Sequence, residues 1–173
     1  MTPGEYAQIL MACLAEKITD GPNPIAPEHM CLRFGATVNP SLGTGTDECC
    51  TGLAWVRVAG VGGVRNDPDD PLYNQCLKTG RRLTLELGTA RCVPYGTVQT
   101  PTTCDQWTEA ALKMDADYVA LEAAVCCFTD TVKAMPFAPD LISVTDYLPE
   151  GPDGQCLKGT MLVTLDYYCG CAA

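Results

Sequence analysis

A chain of 173 residues with 47% hydrophobic and 18% charged content suits one globular domain with a core of useful size. Mean hydropathy is only +0.04, and the longest nearly uncharged stretch, 51–64, is broken by Arg57 and several glycines, so no segment offers the roughly 20 apolar residues of a membrane-spanning helix. The 21 acidic against 11 basic residues give a formal net charge of −10, which argues against clamping nucleic acid through Lys and Arg but does not exclude a conduit, since an acidic wall repels the DNA backbone.

Thr2-Pro3-Gly4-Glu5 has the form of a capping box with proline at the first helical position. It predicts a helix with Ala7, Leu10, Leu14 and Ile18 on one stripe and Cys13 beside them, ending before Asp20. Glu5, Glu16 and Asp20 around this apolar run do not fit a secretory signal, so synthesis in the cytoplasm is expected. After the loop of Pro22, Pro24 and Pro27, a short strand is expected around Met30 to Phe34. A second strand, Gly52 to Ala59, would set Leu53, Trp55 and Arg57 on one face and Ala54, Val56 and Val58 on the other. The stretch from Gly60 to Thr79 reads as a long loop, a length usually tied to function or disorder.

From Arg81 to Val93, Leu83, Leu85 and Leu87 alternate with Arg82, Thr84 and Glu86, which predicts a strand with one solvated face. The strongest helical pattern follows, from about Thr103 to Val132, with Trp107, Ala111, Met114, Tyr118, Leu121, Val125, Phe128 and Val132 on one stripe. Glu109, Lys113, Asp117 and Glu122 would form its wet face. Pro136 and Pro139 end the pattern, and strands over Leu141 to Leu148 and Leu157 to Tyr168 would make a C-terminal hairpin turning at Gly151-Pro152-Asp153-Gly154. The expected fold is therefore a single α+β domain over residues 1–173. Its sheet is mixed or mostly antiparallel, flanked by the N-terminal helix and one long central helix.

Twelve cysteines allow three readings. They could be small buried thiols in a reducing cell, disulfides closed in an oxidising exterior such as a virion surface, or zinc ligands. Zinc is the least favoured, because there is no C-x-x-C pair, only His29 among histidines, and the adjacent pairs and terminal C-x-C lack the usual spacing. Cys92 and Cys104, at the end of one expected strand and the start of the long helix, are separated by a short loop and are the expected disulfide.

Catalytic motifs do not assemble. His29 has no local nucleophile or carboxylate partner. Gly60, Gly62 and Gly63 are not followed by the helix that a dinucleotide loop requires. Asp67, Asp69 and Asp70 lack the spacing of a calcium loop and read as a solvated segment. Asp115 and Asp117, two apart on a helix, read as surface charges. No enzyme activity, cofactor or metal is expected. A thiol-redox enzyme is the alternative of another class, disfavoured by the lack of C-x-x-C and of a thiolate-favouring neighbourhood.

Five segments carry a resemblance: 47–58 (Asp47-Glu48-Cys49-Cys50-Thr51-Gly52-Leu53-Ala54-Trp55-Val56-Arg57-Val58), Leu85-Glu86-Leu87-Gly88 with Arg91-Cys92, Thr103-Cys104-Asp105-Gln106-Trp107, Ala124-Val125-Cys126-Cys127-Phe128, and Gly154-Gln155-Cys156. In that order they resemble the cysteine-rich head-to-tail connector proteins of phages that infect actinobacteria, and the arrangement is similar to tail terminators of lambda-like phages. The resemblance implies a virion protein at the head-tail junction of a long-tailed phage, forming a homohexameric ring. That ring would end tail-tube polymerisation, bind the tail-tube protein and the head-completion or stopper protein, and let DNA through its lumen without specific binding. A head-side adaptor or stopper ring is the alternative within the particle. Asp67, Asp69, Asp70, Tyr167 and Tyr168 are the candidate interface residues, because they lie in polar or aromatic segments suited to contact.

Overall fold

The computed structural model describes residues 1–35, 38, 49–63, 80–94, 96, 99–136, 138–153 and 156–168, with Asp153 and Tyr168 described by backbone alone. Helix α1 spans Pro3–Thr19 and helix α2 spans Cys104–Lys133. Both start on a complete capping box: the Thr2 and Thr103 hydroxyls accept the backbone N–H of Glu5 and Gln106, whose side chains accept the cap N–H in return. This reciprocal bonding satisfies donors that a helix start leaves unpaired.

The strands are β1 (Met30–Phe34), β2 (Leu53–Gly63), β3 (Gly80–Cys92), β4 (Leu141–Val144), β5 (Leu148–Asp153) and β6 (Cys156–Tyr168). They form one mixed six-stranded sheet in the order β1-β2-β3-β6-β4, with β5 also on β6. The β1–β2 pairing is parallel and the others antiparallel. The C-terminal hairpin is more divided than expected. β4 and β5 lie end to end along β6, and Thr145 between them exchanges hydrogen bonds with the backbone of Leu162, its N–H donating to the carbonyl and its hydroxyl accepting the N–H, both at 2.9 Å. Residues 151–153, expected in a turn, instead belong to β5, which continues through Asp153.

Both helices lie against one face of the sheet. Tyr6, Ala7, Leu10, Leu14 and Ile18 of α1 and Leu121, Ala124, Val125, Phe128 and Val132 of α2 are buried against Ala54, Val56, Val58, Leu83, Leu85, Leu87, Met161, Val163 and Leu165. Strand alternation supplies one apolar face and helical spacing the matching stripes, and removing this area from water is the main stabilising term. Part of the expected α2 stripe turns outward: Trp107 is 43% exposed and Ala111 is exposed, because the buried face of the helix runs through Ala110, Met114, Asp117 and Leu121. A smaller cluster of Val38, Cys49, Leu53, Trp55, Ala90 and Cys156 covers the opposite face.

Candidate functional site

Strand β3 was expected to have one wet face, but Glu86 and Ala90 on that side are buried, as are Thr89 and Arg91 beyond the leucines. The cause is the second cluster. Trp55 lies over Gly88, where a Cβ would meet the indole ring, and its Nε1–H donates to Glu86 at 3.0 Å. Arg57 closes a bidentate pair on the same carboxylate at 2.8 and 2.5 Å and donates a further bond to the Gly35 carbonyl at 2.6 Å. Burial pushes the Glu86 carboxyl up, but the Arg57 and Trp55 hydrogen bonds outweigh it and hold the group below its ordinary value.

On the helix-bearing face, Arg91 makes a second bidentate pair, with Asp117 of α2, at 2.8 and 2.6 Å, and donates to the Asn23 carbonyl at 2.6 Å. Asp117 is 1% exposed, so its assignment as a surface charge is corrected. The carboxylate turns inward because one guanidinium rises from β3 beneath it, and an unpaired charge there would be strongly disfavoured. Gly52, at φ +87°, lets the chain pass close to the same guanidinium.

Beside this pair, a groove runs between α2 and the β4–β5 edge. The mutually tilted rings of Tyr118 and Tyr147, 5.3 Å between centroids and 50° between planes, divide it into cavities of about 530 and 450 Å³. Tyr118 donates to Glu122 at 3.0 Å. The Tyr147 hydroxyl sits over Gly159, where any Cβ would collide with it, and has no hydrogen-bond partner among the described residues; burial, then the nearby Asp117 and Asp115 charges, push its pKa well above the usual phenol value. Thr89 Oγ1, on the strand position paired with Gly159, is the other buried side-chain oxygen without a partner among the described residues. These groups can bind and orient polar atoms.

Three disulfides form among the described residues: Cys13–Cys127 between the two helices, Cys49–Cys156 and Cys50–Cys92. The expected Cys92–Cys104 bond is absent, and Cys104 is an exposed free thiol. Strand alternation explains the difference. Arg91 reaches α2, so its neighbour Cys92 points to the other face, away from the helix that Cys104 begins. There it lies opposite Cys156 in register and beneath the Cys49-Cys50 turn, which the Gly52 N–H closes on the Cys49 carbonyl at 3.1 Å.

Of the expected interface residues, Asp67, Asp69 and Asp70 lie outside the described residues. Tyr167 is 7% exposed and packs on Tyr6 at 5.5 Å between ring centroids, which places it in the core and not on a contact surface. It occupies the same face of β6 as Val163 and Leu165. Tyr168 follows on β6, paired through its backbone with Gly80. Exposed apolar side chains instead mark the two outermost strands among the described residues: Leu32 and Phe34 on β1, and Leu141, Val144 and Leu148 on β4 and β5. Sequence pattern identified β1 and the region of β4 but neither β5 as a separate strand nor the places of these strands at the edges. No family model matches this sequence, and no curated protein matches it.

Proposed function

We propose that this chain is a structural protein of a long-tailed phage particle whose copies close into a ring at the head-proximal end of the tail. There the ring ends tail-tube polymerisation and joins the tail to head-completion proteins, and DNA passes through it without specific binding. The observation that carries this reading is the pair of unlike apolar sheet edges. Closed rings use heterologous contacts, in which two different patches of one subunit meet. The β1 edge, with Leu32 and Phe34 at 38% and 64% exposure, and the β4–β5 edge, with Leu141 and Leu148 at 51% and 52%, are two such patches at opposite ends of one sheet. Edge strands also offer backbone groups for pairing with a neighbouring chain.

The α+β fold with two flanking helices agrees with what the resemblance implied, and the −10 net charge suits a lumen that repels the duplex. The test is assembly of particles without this protein. Tails of irregular, excessive length that fail to join heads are expected. Tails of uniform length joined to heads would overturn the reading, and uniform tails that only fail to join would assign the chain to the stopper ring instead.

A further inference from the structure

The strongest unused chemistry in the molecule is the meeting of four sulfurs at one corner of the sheet. Cys92 and Cys156 are direct register partners on β3 and β6, so their side chains leave the same face side by side. The adjacent Cys49 and Cys50 arrive from the turn above, bonded to Cys156 at 2.01 Å and to Cys92 at 2.03 Å. The sulfurs of Cys49, Cys50 and Cys92 all lie within 4.8 Å of one another, and that of Cys156 is bonded to the first of them. A tetrahedral zinc–thiolate centre with bonds of about 2.3 Å needs sulfurs about 3.8 Å apart. The sequence spacing hid this set, because an adjacent pair and two strand residues far along the chain do not read as a zinc motif.

We infer that in its reduced form the chain binds one zinc ion through Cys49, Cys50, Cys92 and Cys156, and that the two disulfides are the oxidised state of the same site. The exchange balances without further groups. Two molecules of a dithiol reductant each take up one protein disulfide, becoming cyclic disulfides and leaving four cysteine thiols. Zinc then replaces the four thiol protons, which pass to solvent, to give a tetrathiolate centre. Burial divides the roles: Cys49 and Cys156 are 2% and 4% exposed, whereas Cys50 is exposed, so attack by the reductant starts at the Cys50–Cys92 bond. In either state the cluster fastens the 49–52 turn to the β3–β6 pair. Three sulfurs already lie within 4.8 Å of one another and the fourth, of Cys156, is bonded to one of them; soft thiolate ligands favour zinc over magnesium or calcium.

The experiment uses the full chain, reduced under anaerobic conditions with a phosphine, which takes one oxygen from water to become its oxide for each disulfide opened, and titrated with Co(II) as a spectroscopic stand-in for Zn(II). The expected result is one equivalent bound, with the intense thiolate-to-metal and visible bands of tetrahedral four-sulfur cobalt, bleached by one equivalent of Zn(II). The Cys92→Ser/Cys156→Ser variant should lose this spectrum. Cys49→Ser alone should shift it toward three-sulfur coordination, a readout that survives partial loosening of the fold. Replacement of Cys76, Cys169 and Cys171 by Ser should leave stoichiometry and spectrum unchanged. No four-sulfur spectrum in the reduced native chain, or the same spectrum in Cys92→Ser/Cys156→Ser, would overturn the assignment.

Discussion

At the scale of single residues, two buried arginine–carboxylate pairs hold the two faces of the sheet. Removing one member of such a pair leaves the other charge buried and alone, which costs about 3–5 kcal/mol. Asp117→Ala should lower stability by that amount, because among the described residues Arg91 then keeps only its bond to the Asn23 carbonyl; denaturant titration of the oxidised chain measures it. A loss below about 1 kcal/mol would show that the pair is not desolvated as the geometry requires. Glu86 makes a prediction in pH. Its folded pKa lies below the ordinary 4.5, through the Arg57 and Trp55 hydrogen bonds that outweigh burial. The stability it contributes is therefore complete above the unfolded value and lost as pH falls through the lower folded one. Asp166, held down by its hydrogen bonds from Arg82, acts in the same direction but lies nearer solvent. Glu86→Gln should flatten the acid side of the melting-temperature profile while lowering stability at neutral pH; an unchanged acid slope would remove Glu86 from the account.

At the scale of elements, the helices were legible because their signals are local. A capping box needs four consecutive residues, and the α1 stripe needs only its own spacing, so α1 and α2 lie within a residue or two of expectation. Thr103→Ala removes the hydroxyl that accepts the Gln106 N–H at 3.3 Å and should cost about 1 kcal/mol, read as a lower denaturation midpoint with unchanged slope. A midpoint equal to that of the native chain would mean that packing alone starts the helix. The Cys13–Cys127 bond ties the two helices together across a sequence separation of 114. A cross-link over so long a loop stabilises by roughly 4–5 kcal/mol where the unfolded chain loses its freedom.

At the scale of the whole molecule, the described strands end in two different edges, and the ring assembly proposed above would cover both. Phe34→Asp combined with Leu148→Asp should leave the fold intact, since these side chains are 64% and 52% exposed, while preventing assembly through charge at both edges. Native mass spectrometry of the unaltered chain should show a closed ring, six subunits by the resemblance, and the double variant should be monomeric with unchanged far-ultraviolet circular dichroism. An unaltered chain that stays monomeric at high concentration, or a ring that persists in the double variant, would count against edge-to-edge assembly.

The amino-acid sequence by itself determined the extents of both helices, the capping box of the first, the leucine face of β3 and the α+β class, because periodicity and capping act between near neighbours. Tertiary structure alone decided which cysteine meets which, that Asp117 turns inward, that Tyr167 enters the core and that β1, β4 and β5 are edges. Each of these depends on strand order and register between segments far apart in the chain. Alternation along β3 says that Arg91 and Cys92 point to opposite faces, but only the folded sheet says that Asp117 waits on one side and Cys50 on the other.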